Sequence, residues 1–305
     1  MRIFIPALSM LLIFLISSCQ REFDLDTPPT PPIVNTGDSV YLSEYFAINS
    51  SNPVDTIQKT VFHYDSQKRF IESESQGYFT DPIRITNFPF FERQKWFYTG
   101  NDTLPYMVVK DKGSFRDTCF LYYNSAGIII QDSLLEYTGN DFKFGKVVKY
   151  SPDGTGSYVI MINKRNAIGD LSYETIWSTR NVVSGNFVNG YDSTIYPKIA
   201  PFPDEIQTIR YTGIYDAHPN PFYRMYLRYP VATEGLGNIP NDYFFNMGVN
   251  NLVSYQINSV WAGLHVTILK QFIYTYNSIG LPNKVSLTQD NNPASTFGVY
   301  VYTAL

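Results

Sequence analysis

The stretch that decides the fold is residues 274–288, which read YTYNSIGLPNKVSLT. Two tyrosines end an extended run, and Asn277 and the serine after it carry side chains that bond the backbone of a turn. Gly280 supplies a positive φ where the turn requires one. Beyond the turn, Val285 and Leu287 alternate with polar residues, which is the period-two pattern of a strand with one buried face. The stretch therefore predicts an antiparallel hairpin.

Similar strand and turn units occur elsewhere in the chain of 305 residues, at 62–66, 121–125 and 148–152. Each combines a tyrosine near a strand end, an Asp, Asn or Ser in the turn, and an apolar restart. Their unequal spacing argues against a solenoid of fixed period. Long helical patterns are missing, and only residues 218–251 leave room for a short helix or a long irregular loop. We therefore predict an all-β fold, a curved antiparallel meander or barrel-like sheet built of hairpins.

Residues 1–18 predict a secretory signal peptide. Arg2 gives a positive start, and an apolar run follows from residue 3 to residue 16. That run is shorter than the roughly 20 apolar residues that cross a bilayer, and it ends in small residues as signal peptides do. Its final tetrad, Ile16-Ser17-Ser18-Cys19, resembles the lipobox of bacterial lipoproteins. The resemblance implies that Cys19 carries acyl chains such as palmitate and becomes the first residue of the mature protein.

Residues 19–37 predict a flexible, proline-rich tether behind the lipidated cysteine. Four of the five residues 28–32 are proline, and proline cannot donate to a helix or a sheet ladder. No second linker of this kind follows, so residues 38–305 predict a single antiparallel β domain. Several acyl chains give stable membrane anchoring. We therefore predict a lipoprotein anchored in the outer membrane, with its body on either the periplasmic or the cell-surface side.

Composition excludes some classes of partner and chemistry. The net charge of −4 and the lack of a Lys/Arg cluster argue against nucleic acid. With Cys19 used for the lipid, only Cys119 remains, so no intramolecular disulfide can form, and Cys119 is predicted to be a buried apolar residue. The sequence carries no catalytic, phosphate-binding, dinucleotide-binding or zinc motif. We therefore predict a protein that is not an enzyme and has no metal or cofactor.

The chain holds 25 Tyr and 22 Phe, and aromatic residues suit a half-buried pleated surface. Their number first indicates packing, in which the rings fill or brace a curved sheet. Exposed rings beside Asn and Asp are also typical of surfaces that capture sugar rings, and long loops carry function more often than strands do. Six residues are therefore candidates for ligand binding: Trp96, Tyr98, Tyr215, Phe222, Tyr223 and Trp261.

The hairpins resemble those of uncharacterised Bacteroidota lipoproteins, in a domain family of unknown function described as having a porin-like β fold. The residues that carry the resemblance are the Tyr-Asp/Asn-Ser turns and the segments 215–222, 250–251 and 274–285. Two positions depart from the pattern: Lys68 stands where a turn glycine is usual, and Gly127 lacks a following arginine. The resemblance implies a β fold and an envelope location, and it implies no activity.

These observations predict a cell-envelope lipoprotein that acts as a non-enzymatic binding or scaffold protein, with a glycan or an envelope protein as its partner. Two alternatives stay open. In the first, the rolled sheet carries an apolar ligand, which a filled interior would exclude. In the second, the chain is an unrecognised hydrolase, which needs two carboxylates about 5 to 10 Å apart facing one cleft.

Overall fold

The computed structural model describes residues 40–49, 52–81, 86–125, 129–138, 141–152, 157–166, 175–196, 204–223, 248–290 and 295–304. The predicted signal peptide, Cys19 and the tether lie outside these ranges. Among the described residues, no helix is long and apolar enough to cross a membrane.

The described residues form sixteen β-strands, numbered here in chain order. Their bounds are β1 Val40–Asn49, β2 Asn52–Tyr64, β3 Phe70–Asp81, β4 Thr86–Tyr98, β5 Pro105–Lys112, β6 Phe115–Tyr123, β7 Ile129–Thr138, β8 Asp141–Pro152, β9 Ser157–Asn166, β10 Thr175–Val183, β11 Asn186–Tyr196, β12 Glu205–Pro219, β13 Asn250–Trp261, β14 Leu264–Tyr276, β15 Pro282–Gln289 and β16 Ser295–Ala304. Most are 9 to 13 residues long, long enough to build a tall wall at about 3.3 Å per residue.

The strands form one antiparallel sheet that closes into a barrel, in which each strand pairs with its neighbours along the chain. The barrel closes where β1 pairs with β16, from Val40 opposite Ala304 to Ala47 opposite Gly298. The predicted all-β antiparallel meander is therefore confirmed, and its rolled form is a closed one. Closure also leaves no long unpaired sheet edge, because the first and last strands satisfy each other.

We call the end of the barrel where β1 begins and β16 ends the lower end. Odd-numbered strands rise from it and even-numbered strands fall towards it. The turns at 65–69 and 277–281 therefore lie at the lower end. The tight turns at 113–114 and 262–263 lie at the upper end.

Side chains alternate between the interior and the exterior of the wall. On β4, Glu92, Gln94 and Trp96 are buried, whereas the side chains of Arg93 and Lys95 between them are 41% and 47% exposed. Cross-strand partners lie on the same face of a sheet. The register of the strands therefore extends these two faces around the barrel.

The turns at the lower end follow the chemistry that the sequence predicts. Asp65 Oδ1 accepts hydrogen bonds from the backbone N–H groups of Gln67 and Arg69, both at 2.9 Å. Asn277 Oδ1 makes the equivalent pair of bonds within the turn at 277–281, at 3.1 and 2.9 Å. A short polar side chain thus fixes each turn from within, which sets where the next strand starts.

Lys68 occupies the position in the turn at 65–69 that Gly280 occupies in the turn at 277–281. Its φ is 62°, and Gly280 in the other turn has a φ of 81°. Lys68 therefore adopts the left-handed conformation, at a cost of about 1 to 2 kcal/mol relative to an ordinary backbone. The turn bonds of Asp65 offset this cost, so the departure in sequence leaves the turn geometry intact.

A repeated irregularity marks the lower ends of the rising strands. Where β2 pairs with β3, the register skips Ile71, so that Phe70 lies opposite Tyr64. Such a β-bulge disrupts the ladder of backbone hydrogen bonds locally. From the other side of β3, the hydroxyl of Tyr98 on β4 donates to the carbonyl of Phe70 at 2.6 Å. The tyrosine therefore supplies a hydrogen-bond donor beside the bulge.

This bulge–tyrosine bond occurs on five rising strands of the described chain. In each case the acceptor residue directly precedes the extra residue of the bulge, and the tyrosine lies on the falling strand that follows. The bonds run from Tyr64 to Leu42, Tyr98 to Phe70, Tyr123 to Pro105, Tyr274 to Leu252 and Tyr302 to Pro282, at 2.6 to 3.1 Å. The tyrosines that the sequence places at strand ends thus join neighbouring strands.

We expect Tyr98→Phe to lower the free energy of unfolding by about 1 to 3 kcal/mol, because the ring stays while the carbonyl of Phe70 loses its donor. Urea denaturation followed by far-UV circular dichroism measures the change. Tyr122→Phe is the matched control, since Tyr122 is 46% exposed, and it should change stability by less than about 0.5 kcal/mol. Equal losses in the two variants would show that the bond to Phe70 has no special role.

Candidate functional site

The lower half of the barrel interior is filled with aromatic side chains. Phe222, in the segment that follows β12, is fully buried. Its ring packs against Tyr45 of β1, Phe62 of β2 and Tyr300 of β16, with centroid separations of 5.6, 6.3 and 5.7 Å. Such ring pairs contribute about 0.5 to 1.5 kcal/mol each beyond their buried area. We call residues 220–223 the plug, because this segment closes the lower interior.

The plug is held in place by Asn220, whose side chain is 5% exposed. Its Oδ1 accepts a hydrogen bond from the backbone N–H of Phe222 at 3.0 Å, and its Nδ2 donates to the carbonyl of Gly248 at 3.1 Å. Its backbone N–H donates to the carbonyl of Val249 at 2.9 Å. Asn220 therefore ties the plug to the residues that lead into β13.

A second polar group fastens the ends of β12, β13 and β14 beside the plug. Asp216 accepts hydrogen bonds from the backbone N–H groups of His218 at 2.9 Å and Asn251 at 3.2 Å, and from the hydroxyl of Tyr276. The His218 ring stacks on the Tyr276 ring with centroids 3.8 Å apart. Asn250 Nδ2 donates to the carbonyl of His218 at 3.2 Å. The segments 215–222 and 250–251 therefore form one structural unit that holds the plug.

Four of the six aromatic residues predicted to bind a ligand meet in this lower interior: Trp96, Tyr98, Tyr215 and Phe222. Trp96 is 4% exposed, and its ring lies 5.5 Å from that of Phe70. Tyr223, the fifth residue, follows Phe222 in the plug and is partly buried. Ligand binding by these residues stays a prediction, and in this conformation Trp96 and Phe222 pack against other aromatic rings of the interior.

Trp261, the sixth residue, lies apart from the others at the upper end of the barrel. Its side chain is 46% exposed, and its ring lies 6.5 Å from that of Tyr196 on β11. The β13–β14 hairpin that carries it extends beyond the last pair of β14 with β15, Lys270 opposite Gln289. Trp261 is therefore the most exposed of the six aromatic residues that are predicted to bind a ligand.

Above the aromatic half, the inner faces of β3 to β6 are polar. Ser73 of β3 lies opposite Gln94 of β4, Gln94 lies opposite Lys110 of β5, and Lys110 lies opposite Asp117 of β6. Glu92 continues this face one step nearer the upper end. All five residues are at most 6% exposed. The register thus gathers charged and polar side chains from four strands inside the wall.

Lys112, the last residue of β5, completes this group, which we call the polar cluster. Its Nζ lies 4.0 Å from Glu92 Oε2 and 3.7 Å from Asp117 Oδ2. Gln94 Nε2 donates to Glu92 Oε1 at 2.8 Å. The Lys112 side chain is 36% exposed while both carboxylates are nearly covered. The cluster therefore reaches solvent through its lysine at the upper end of the barrel.

Burial raises the pKa of the Glu92 carboxyl above its ordinary value. Lys110, the Gln94 amide and Lys112 act in the opposite direction, while Asp117 adds to the increase, and the net shift is upward. Burial disfavours the charged form of a carboxyl group. The barrel therefore holds the Glu92 carboxylate in an environment that opposes its charge.

Three buried atoms of the polar cluster, Ser73 Oγ, Gln94 Oε1 and Asp117 Oδ1, have no hydrogen-bond partner among the described residues. Most buried side-chain polar atoms in proteins have at least one partner. A buried polar group without one costs about 1 to 3 kcal/mol. These atoms are therefore open positions for hydrogen bonds with a molecule that enters the cluster.

Within the described ranges, no three His, Cys, Asp or Glu side chains lie close enough together to hold a metal ion. Cys119 is 2% exposed and belongs to the buried apolar cluster with Val108 and Leu134. The prediction that Cys119 is a buried apolar residue is confirmed.

The polar cluster was not predicted from the sequence. Residues 91–96 read FERQKW, so charged residues occupy both faces of β4, and alternation alone cannot say which face is inside. Lys110 and Lys112 of β5 leave the same ambiguity. A spacing of two places both lysines on one face of the strand, but it does not say whether that face is inside. Which face is inside is determined by the closure of the barrel and by the register that joins β3 to β6.

Comparison with known proteins identifies the fold. The crystal structure of a porin-like protein from Bacteroides vulgatus is similar to this chain with a TM-score of 0.55 and 12% sequence identity, over 88% of this chain and 100% of that one. A porin-like protein from Bacteroides uniformis matches with a TM-score of 0.41 and 14% identity, over 88% and 97% of the two chains. No protein-family model and no curated protein matches. The first likeness shows a porin-like β fold, and membership in the lipoprotein family stays a prediction.

We expect Phe222→Ala to lower the free energy of unfolding by about 3 to 5 kcal/mol, because it leaves a cavity among three aromatic rings. Urea denaturation measures the loss. Phe115→Ala is the matched control, since Phe115 is 46% exposed, and it should cost about 1 kcal/mol or less. A loss below about 1 kcal/mol for Phe222→Ala would mean that the plug does not stabilise the barrel.

The raised pKa of Glu92 predicts how stability depends on pH. Between the ordinary value of about 4.3 and the raised value, the folded state binds more protons than the unfolded state, so stability falls as pH rises. Glu92→Gln cannot titrate, so it should gain stability relative to the natural chain as pH rises from about 4 to 7. Paired urea titrations across this range measure the difference. A constant difference, or one with the opposite slope, would contradict the shift.

Proposed function

We propose that this chain is a lipid-anchored protein of the cell envelope, whose barrel stands in water beside the outer membrane and binds a glycan or an envelope protein without catalysing a reaction. The lipobox-like tetrad that ends at Cys19 supports the anchor. A fold like that of a porin-like Bacteroides protein supports an envelope role for the barrel. The proline-rich tether separates the acyl chains from β1, so the body need not enter the bilayer.

The observation that carries this proposal is the charged exterior of β3 and β4. Arg93 Nε lies 2.8 Å from Glu74 Oε1 and 3.0 Å from Glu72 Oε1. Lys95 Nζ lies 3.9 Å from Glu72 Oε1. On the lipid-facing wall of a membrane barrel, Arg or Lys costs about 2 to 4 kcal/mol at the bilayer midplane. An exterior with this network is therefore suited to water.

The charged exterior continues on both sides of these strands. On β5 and β6, Asp111 lies opposite both Arg93 and Arg116 in the register. On β1 and β2, Lys59 Nζ lies 2.7 Å from Glu44 Oε1. Charged pairs therefore recur across six neighbouring strands, which supports an aqueous location for this part of the wall.

The filled interior weighs against a carrier of apolar ligands. Tyr45, Tyr255, Phe222 and Leu252 are each at most 2% exposed, so side chains already occupy the apolar space in the described part of the lower barrel. An apolar ligand would have to displace the plug to enter. A binding role in the polar part of the interior, or on the outer surface, needs no such change.

The arrangement of the two buried carboxylates weighs against a hydrolase. Glu92 and Asp117 both face the polar cluster, and Lys112 Nζ lies 4.0 Å and 3.7 Å from them. In glycoside hydrolysis the space between two such carboxylates must hold the sugar and, in inverting enzymes, a water molecule. Here a lysine ammonium lies within 4.0 Å of both carboxylates, which supports binding rather than catalysis.

The test of the proposed function compares the natural chain with Cys19→Ala in cells. After lysis and ultracentrifugation, we expect the natural chain in the membrane pellet and the variant in the soluble fraction, because acyl chains rather than the barrel wall provide the anchor. A Ser18→Ala variant, which keeps the cysteine and a small residue before it, is the matched control and should stay in the pellet. A Cys19→Ala protein that stays in the membrane fraction would show that the barrel itself is inserted.

A second measurement in the same cells addresses the partner. The natural chain, extracted in mild detergent and captured by an affinity tag, should retain envelope polysaccharide or an envelope protein after washing. Failure to retain either kind of molecule would count against a binding role and leave only the anchor.

A further inference from the structure

Three of the seven buried side-chain polar atoms that lack a hydrogen-bond partner in the described chain lie in the polar cluster. Ser73 Oγ, Gln94 Oε1 and Asp117 Oδ1 lie on three different strands, and each has no hydrogen-bond partner in the described chain. The cross-strand register links them through Lys110, since Ser73 is opposite Gln94, Gln94 is opposite Lys110, and Lys110 is opposite Asp117. The three atoms therefore belong to one continuous inner face.

Neighbouring polar residues on the same wall are satisfied internally. Gln58 Nε2 donates to Thr60 Oγ1 at 3.0 Å, and Thr60 Oγ1 lies 2.9 Å from Ser75 Oγ. This chain of bonds crosses β2 and β3 on the inner face and ends beside the polar cluster. This neighbouring row of polar residues therefore does not share the lack of partners, which in the described chain recurs at four atoms outside the cluster.

The three atoms without partners limit which kinds of ligand can bind to the polar cluster. Gln94 Oε1 and Asp117 Oδ1 are acceptors and need hydroxyl or N–H donors, while Ser73 Oγ can donate or accept. The cluster carries both signs of charge, from Glu92 and Asp117 and from Lys110 and Lys112, so neither an anion nor a cation is favoured overall. No metal-binding group of three residues exists in the described ranges. A neutral molecule with several hydroxyl groups fits all these conditions.

We infer that the polar cluster binds a neutral, hydroxyl-rich ligand, namely a sugar residue of a glycan, and this inference rests on the proposed binding function. The sugar hydroxyls donate to Gln94 Oε1 and Asp117 Oδ1, and sugar oxygens accept from Lys112. Charge-assisted hydrogen bonds of this kind are shorter and stronger than neutral ones. The ligand approaches from the upper end, where the Lys112 side chain is 36% exposed.

The experiment uses the full chain, purified in a detergent that has no sugar headgroup. Saturation-transfer NMR and calorimetry test binding of glucose, galactose, mannose, N-acetylglucosamine and their disaccharides. Glucuronate and glucosamine serve as charged probes on the same ring. We expect at least one neutral sugar to bind at least tenfold more tightly than either charged probe.

Three variants locate the site. Gln94→Met removes one open acceptor and Asp117→Asn removes the negative charge of the other, both with little change in volume, and each should weaken binding of the neutral sugar at least tenfold. Ser73→Ala removes a hydroxyl that has no partner in the described chain, so folding stays intact and binding should weaken about threefold or more. Gln58→Met is the matched control, because Gln58 is equally buried on the same inner face, and binding should change less than twofold. Urea denaturation of each variant confirms that it is folded.

The outcomes separate this inference from the proposed function. If no neutral sugar binds while the captured chain still retains an envelope partner, the sugar site is excluded and the binding role stands. If a sugar binds but Ser73→Ala and Gln94→Met bind as tightly as the natural chain, the site lies elsewhere and the inference is wrong. If charged and neutral probes bind equally, the assignment of a neutral ligand is wrong. If neither sugars nor envelope partners are retained, both the site and the binding role fail.

Discussion

The lower end of the barrel depends on one repeated interaction, the hydrogen bond from a tyrosine hydroxyl to the backbone carbonyl beside a β-bulge. Each bulge adds one residue to a rising strand and disrupts its ladder locally, and the tyrosine of the next falling strand donates to the carbonyl next to the extra residue, as Tyr98 does to Phe70. Because backbone polar groups inside a protein need partners, the bulges and the tyrosines must be kept together. The rings that carry these hydroxyls then form part of the aromatic interior on which the plug packs.

A barrel of sixteen strands has a wide interior, and the side chains of this chain fill that interior unevenly. Porins of about 16 to 18 strands leave an aqueous channel, whereas here Phe222 and its aromatic neighbours occupy the lower interior of the described barrel. The plug comes from the long connection between β12 and β13; Asn220 fastens its first residue, and Asp216 fastens the end of β12 that leads into it. The polar cluster lies above these rings, in the upper interior. The described interior therefore has an aromatic lower part and, on β3 to β6, a polar upper part.

The sequence was sufficient for the fold class and for the turn chemistry, because both depend on local patterns. Period-two alternation and the Asp65 and Asn277 turns are visible in a few residues, and the structure places both as predicted. Closure, the tyrosine bonds beside the bulges and the plug were not visible, because each depends on contacts between residues 18 or more positions apart, such as Tyr123 with Pro105. For the site, the sequence indicated the aromatic residues but could not tell buried rings from exposed ones. It missed the polar cluster, since β4 carries charged residues on both faces.

The polarity of both faces of β4 also explains why the lower end needs the repeated bond from a tyrosine hydroxyl to a backbone carbonyl. A strand with one buried apolar face fixes its own register, because a slip of one residue would expose that face, whereas a strand that is polar on both faces fixes it only weakly. The upper part of β4 is of the second kind, with Glu92 and Gln94 inside and Arg93 and Lys95 outside. Its register must then be set lower down, where Trp96 and Tyr98 enter the aromatic interior and the bulge of β5 fixes the position of the strand. With the register fixed at the lower end, the side chains at the upper end are not needed to fix it, so polar residues are tolerated there on both faces of β4.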